Sequence, residues 1–153
     1  MAIQIRSQVV KDRNSVEWSG VSIAAENALA GNASGWSITG AGDPYNVGYA
    51  YPFNPNVGDT VAFRCNGIGT QIDVYRIGYY AGAGWRLVTT LTNTATNQPN
   101  PTTISSTNGG THCGNWSTTA SWSVPSGAVS GLYIGVYRNG EINFCDTFKS
   151  LSK

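Results

Sequence analysis

The chain has 153 residues, enough for one domain of ordinary size. Nine Lys+Arg balance eight Asp+Glu to a formal net charge of +1, and only 11% of the chain is charged, against about 25% in an average domain. These figures exclude the basic surplus of a nucleic-acid binder, and no apolar run nears the ~20 residues that cross a bilayer. A 41% hydrophobic content argues against charge-driven disorder, and Gly, Ser, Thr and Asn fill 63 positions. The composition is that of a turn-rich β domain with an uncharged hydroxyl and amide surface.

Residues 1–20 contain no positively charged segment followed by an apolar one, so they do not read as a secretory signal. Ile3, Ile5 and Val9 alternate, and this stretch reads as an extra strand or an arm that pairs with a neighbour's sheet edge. Residues 21–153 form the domain. Ser22 to Ala30 holds four Ala and one Leu between Gly20 and Gly31, room for one short helical turn.

Period-two runs follow: Trp36 and Ile38, then Val61, Phe63 and Cys65, then Ile72 and Val74. Tyr75, Ile77 and Tyr79 continue on the opposite parity, which predicts a β-bulge or a corner. Leu87–Leu91, then Ala120, Trp122 and Val124, then Leu132, Ile134 and Val136 are further strands. Ile142, Phe144 and Phe148 close the series, and Asn139-Gly140 between the last two runs is a strong hairpin signal. The expected fold is all-β, an immunoglobulin-like β-sandwich of eight or nine strands. Residues 93–112 form a long polar loop without periodicity, of the kind that is often functional or contact-forming.

Chemistry is sparse. His112 is the chain's one histidine and lies in that loop, and no nucleophile triad is marked around it. His112-Cys113 lacks a second ligand pair at metal spacing, and no carboxylates form a cation loop or a marked catalytic pair. The Ala81–Gly84 run lacks the Lys-Ser/Thr and helix of a phosphate loop and reads as a tight turn. Asp73 and Arg76 suggest a structural ion pair. The expectation is no enzyme, no metal and no cofactor. Cys65 reads as a small core residue. Three reduced cysteines are expected, although the sequence leaves open one disulfide among Cys65, Cys113 and Cys145. Tyr79, Tyr80 and Trp85, which flank the glycine turn, and Trp116 read as exposed contact residues, beside Ile3, Ile5 and Val9 of the arm.

Ala25-Glu26-Asn27, Trp36–Asp43, Val57–Val61, Ile72–Gly84 with Arg86, Cys113-Gly114-Asn115-Trp116, Ala120–Pro125 and Ser130–Ile134 together carry a resemblance. From Ile23 to Phe148 the chain resembles the immunoglobulin-like N-terminal sandwich of actinobacterial proteins similar to the N,N-dimethylformamidase large subunit. The resemblance implies a scaffolding or recognition role. It places the amide-hydrolysing iron site in a separate C-terminal domain, so it transfers no catalytic residue. It also implies a lost partner for Cys113, because relatives tend to carry a second cysteine before this motif.

Two functions follow as expectations. One is a non-enzymatic structural or decoration subunit of a bacteriophage virion, assembled in the host cytoplasm. It would contact other virion proteins or copies of itself, and host-surface glycans. The alternative is a secreted carbohydrate- or cell-wall-binding module. Neither involves nucleic acid or a membrane.

Overall fold

The computed structural model describes residues 22–32, 47–104, 107, 109–138 and 142–150. The arm at 1–20 with Ile3, Ile5 and Val9, the run from Trp36 to Asp43, and the Asn139-Gly140 turn lie outside the described residues.

A short helix α1 (Ile23–Asn27) opens the described chain. Ser22 caps it, its hydroxyl accepting the Ala25 amide at 3.1 Å, which satisfies one amide left free at a helix start. Strands follow as β1 (Val47–Tyr51), β2 (Thr60–Asn66), β3 (Gln71–Ile77), β4 (Trp85–Thr92), β5 (Thr102–Thr103), β6 (Thr111–His112), β7 (Ala120–Ser123), β8 (Gly131–Arg138) and β9 (Ile142–Ser150). They form two antiparallel sheets, β1-β2-β7 and β4-β3-β8-β9, with β5-β6 as a small hairpin apart. The protein is an all-β sandwich. Nine strands among the described residues agree with the expected number, and β8 and β9 pair antiparallel as the Asn139-Gly140 signal predicts.

The core lies between the sheets. Ala50, Val61, Phe63 and Cys65 meet Ile72, Val74, Tyr133 and Tyr137, with Trp122 and Val124 from the β7 side. Val61, Phe63 and Cys65 are each fully buried, as their alternation predicts. Tyr133, near the start of β8, donates its hydroxyl to the Val129 carbonyl at 2.7 Å. This is the tyrosine corner of immunoglobulin-like sandwiches. The sequence reading missed it, although a Tyr four residues after an apolar residue at a strand entry is its signal.

The parity change along β3 coincides with a β-bulge, one of the two outcomes expected. β3 keeps continuous register with β8, while its pairing with β4 shifts between Val74 and Tyr75, leaving Val88 of β4 as the extra residue. The bulge is therefore on the neighbour. It turns Trp85 and Leu87 to the outer face of the sheet and Leu91 to the inner one. β3 itself is buried on both faces. Ile72 and Val74 enter the main core, and Tyr75 joins Trp85, Ile134 and Val136 in a second cluster on the opposite face.

Polar ties anchor residues 93–98 of the long loop, where the sequence suggests no structure. Asn93 donates its side-chain amide to the Gly69 carbonyl at 2.7 Å. Thr96 and Gly67 exchange backbone bonds. The Gln98 side chain bridges the carbonyls of Cys65 and Ser117 at 3.1 and 2.9 Å. Side-chain amides supply here what hydrophobic periodicity cannot signal.

Candidate functional site

Two places stand out, a buried one that gathers residues which drew attention in the sequence and an exposed one that the sequence did not mark. The buried one lies at the end of the second sheet. Glu26 accepts Arg86 Nε at 2.9 Å and Nη2 at 2.5 Å, and the Tyr80 hydroxyl at 2.8 Å, all on Oε1. Arg76 donates Nη1 to the Tyr80 hydroxyl at 2.9 Å and to Asn27 Oδ1 at 3.1 Å, and Nη2 to the Ser130 carbonyl at 2.9 Å. Burial alone would lower the Arg86 pKa, but the Glu26 carboxylate outweighs it and holds the guanidinium above its ordinary value.

The cluster joins α1 to the turn after β3. The Ala25-Glu26-Asn27 and Arg76–Arg86 motifs of the resemblance therefore meet in a structural clasp. Tyr80 and Ala81 adopt left-handed φ of 42° and 54°, conformations costly for side-chain-bearing residues. The buried phenol, held from both sides, fixes them.

Four expectations are corrected or refined at this place. Tyr80 and Trp85 are each 1% exposed, so neither is an exposed contact residue. The cover is the segment after α1. Asn32 donates its backbone N–H to the Trp85 carbonyl at 2.9 Å and its own carbonyl takes the Trp85 indole N–H at 2.9 Å, while its side chain accepts the Leu87 amide. Tyr79 alone of the three faces solvent, at 70%. The Asp73–Arg76 pair does not form, because residues three apart on a strand point to opposite faces. Asp73 pairs instead with Arg138 across the sheet at 2.6 Å, and Arg138 also reaches the Tyr75 hydroxyl at 3.1 Å.

The exposed place is the outer face of the β1-β2-β7 sheet. Val47, Tyr49 and Tyr51 alternate outward from β1, since Ala50 between them faces the core at 0% exposure. Opposite them on β2 stand Asn66, Arg64 and Ala62, with Ser121 beyond on β7. Tyr51 is 57% exposed and Phe53 52%, their rings 6.4 Å apart at 83°. The edge-to-face pair stands beside short Ala, Ser and Thr side chains.

Behind it, the Arg64 guanidinium lies 5.8 Å over the Tyr49 ring and donates Nη1 to the Tyr49 hydroxyl at 3.0 Å. That hydroxyl donates to the Cys113 carbonyl at 2.7 Å. Trp116, buried rather than exposed, packs 6.0 Å from Tyr49 and gives its indole N–H to the Pro99 carbonyl. Its expected exposed role is thereby corrected to one of wedging the long loop against β1.

The sequence reading singles out none of Tyr49, Tyr51, Phe53 and Arg64. The signal is the alternation Val47, Tyr49, Tyr51. It misleads because the residues between are small, and a strand with large residues on one face ordinarily turns that face inward.

Residues 71–145 match the family described as N,N-dimethylformamidase beta subunit-like, C-terminal. Over that span the chain is similar to the family that its motifs indicate. The description assigns the matched module to the C-terminal part, whereas the sequence reading expects the N-terminal sandwich. A solved structure of an uncharacterized protein from Bacillus anthracis str. Ames is also similar, at 16% identity over 71% of this chain and 86% of that chain, with a TM-score of 0.42. No curated protein matches.

Because the matched module is a C-terminal one, a possible iron site has to be judged on the residues present. Iron takes imidazole, carboxylate and other anionic oxygen donors. Among the described residues no three or more His, Cys, Asp or Glu group together. The two places where a carboxylate shares a partner with a tyrosine hydroxyl, Glu26 with Tyr80 and Asp73 with Tyr75, each contain arginine donating into them. A guanidinium in contact with every donor repels a cation, so these residues do not fit an iron ion. Cys113 is a free thiol and is half-buried, while Cys65 is buried in the core. No helix among the described residues is long and apolar enough to cross a membrane.

Proposed function

We propose that this protein is a non-enzymatic recognition module that binds carbohydrate on the outer face of its β1-β2-β7 sheet. The observation that carries the reading is the Tyr51–Phe53 pair, more than half exposed and edge-to-face on a face of small hydroxyl and amide side chains. Aromatic rings offer a large, stiff apolar surface at low entropy cost. The apolar face of a pyranose ring stacks on such a surface while Ser, Thr and Asn meet its hydroxyls. The clasp supports the non-enzymatic half of the reading, since Glu26, Arg86, Arg76 and Tyr80 hold one another.

The virion reading draws in part on the arm at residues 1–20, which lies outside the described residues, and no feature of the described residues favours it over this one. The test is depletion from solution by insoluble polysaccharides, cellulose, chitin and bacterial cell wall among them. Wild type is expected to be depleted by at least one, and Tyr51→Ala and Phe53→Ala to remain in solution. Equal depletion of all three proteins would overturn the assignment of the face.

A further inference from the structure

We propose that the saccharide bound on this face is anionic, and that Arg64 takes its carboxylate. This rests on the carbohydrate reading and adds the ligand's charge. Among the described residues Arg64 has no ion-pair partner, unlike Arg86 and Arg138, which pair with Glu26 and Asp73. On the outer face Val47, Tyr49, Tyr51, Thr60, Ala62, Asn66, Ser121 and Ser123 supply no carboxylate to it. Its Nε is buried without a hydrogen-bond partner, and Nη1 is committed to Tyr49. The Nη2 edge makes no hydrogen bond among the described residues.

A half-buried cation with a donor to spare, on a face whose described residues supply it no acid, is complementary to a ligand carboxylate. The geometry is already fixed. The chain Arg64–Tyr49–Cys113 carbonyl holds the guanidinium plane, so little rotamer freedom is lost on binding. Arg64 stands directly across from Tyr49 in the strand register, and Tyr51 is the next outward residue of β1. Adjacent outward positions on a strand lie about 7 Å apart. One sugar ring on Tyr51 and Phe53 therefore brings a carboxylate on the same or the next ring within reach of Arg64.

The test measures affinity for polygalacturonate, alginate and hyaluronate, each beside its methyl-esterified form, which keeps the rings and removes the charge. Wild type is expected to bind at least one acid form about tenfold more tightly than its ester, a difference of about 1.4 kcal/mol. Raised salt should narrow the gap. Arg64→Met is expected to bind acid and ester alike while staying folded by circular dichroism, and Arg64→Lys to keep part of the preference. Equal wild-type affinity for acid and ester, or binding of neutral polysaccharides alone, would overturn the charge assignment and leave the carbohydrate reading standing. Binding of no saccharide at all would overturn both.

Discussion

Phe63 of β2 presses its ring edge onto Gly135 of β8, so closely that a Cβ on Gly135 would sit 2.6 Å from Phe63 Cε1 and 3.4 Å from Ile72 Cγ2. Gly135 lies two residues after Tyr133 of the tyrosine corner. That is the position where antibody domains carry the second cysteine of their inter-sheet disulfide. Here an aromatic ring against a glycine closes the two sheets.

The consequence is a site that tolerates no added volume. Phe63 is fully buried, so its ring has nowhere to move. Gly135→Ala is expected to cost about 1–3 kcal/mol through overpacking. Urea unfolding would show the loss as a lower midpoint at unchanged slope.

The clasp makes a second prediction. Glu26→Gln removes the carboxylate that compensates Arg86, whose side chain is 26% exposed against 7% for Glu26. Breaking a buried pair from one side costs about 3–5 kcal/mol. Partial solvation of Arg86 reduces the expected loss to about 2–3 kcal/mol. Thermal unfolding of the variant beside wild type measures it, and a change under about 0.5 kcal/mol would show that the clasp is dispensable.

A third prediction concerns alkaline pH. Burial raises the Tyr80 pKa and pushes Tyr133 up from 10.0 to about 12. A pKa raised on folding means that the neutral phenol is favoured in the folded chain. Its contribution is complete below the unfolded value near 10 and is lost as pH rises through the folded value near 12. Stability is therefore expected to fall between pH 10 and 12. Ultraviolet titration of the folded protein should show a late tyrosinate component that Tyr133→Phe removes.

Much of the fold was legible in the residues, and the reason is physical. Val61, Phe63 and Cys65 alternate because one face of β2 is buried and the other is not. Where both faces are buried, as on β3, alternation carries no information, and the bulge on β4 could be inferred but not placed. The site was less legible. Tyr80 and Trp85 stand next to glycines, as exposed loop aromatics do, yet the segment through Asn32 folds over them, and local sequence does not record a contact across more than fifty residues. Tyr51 and Phe53 went unremarked because large aromatics ordinarily belong to the core.

The claim that this face of the sheet is the binding surface is tested most directly by affinity electrophoresis in polysaccharide-loaded gels. The comparison is wild type, Tyr51→Ala and Tyr79→Ala, since Tyr79 is the other strongly exposed tyrosine among the described residues and stands at the glycine turn after β3. The account predicts that a retarding polysaccharide slows wild type and Tyr79→Ala equally and leaves Tyr51→Ala unretarded. Loss of retardation in Tyr79→Ala, with Tyr51→Ala still held, would contradict it and move the binding surface to that turn.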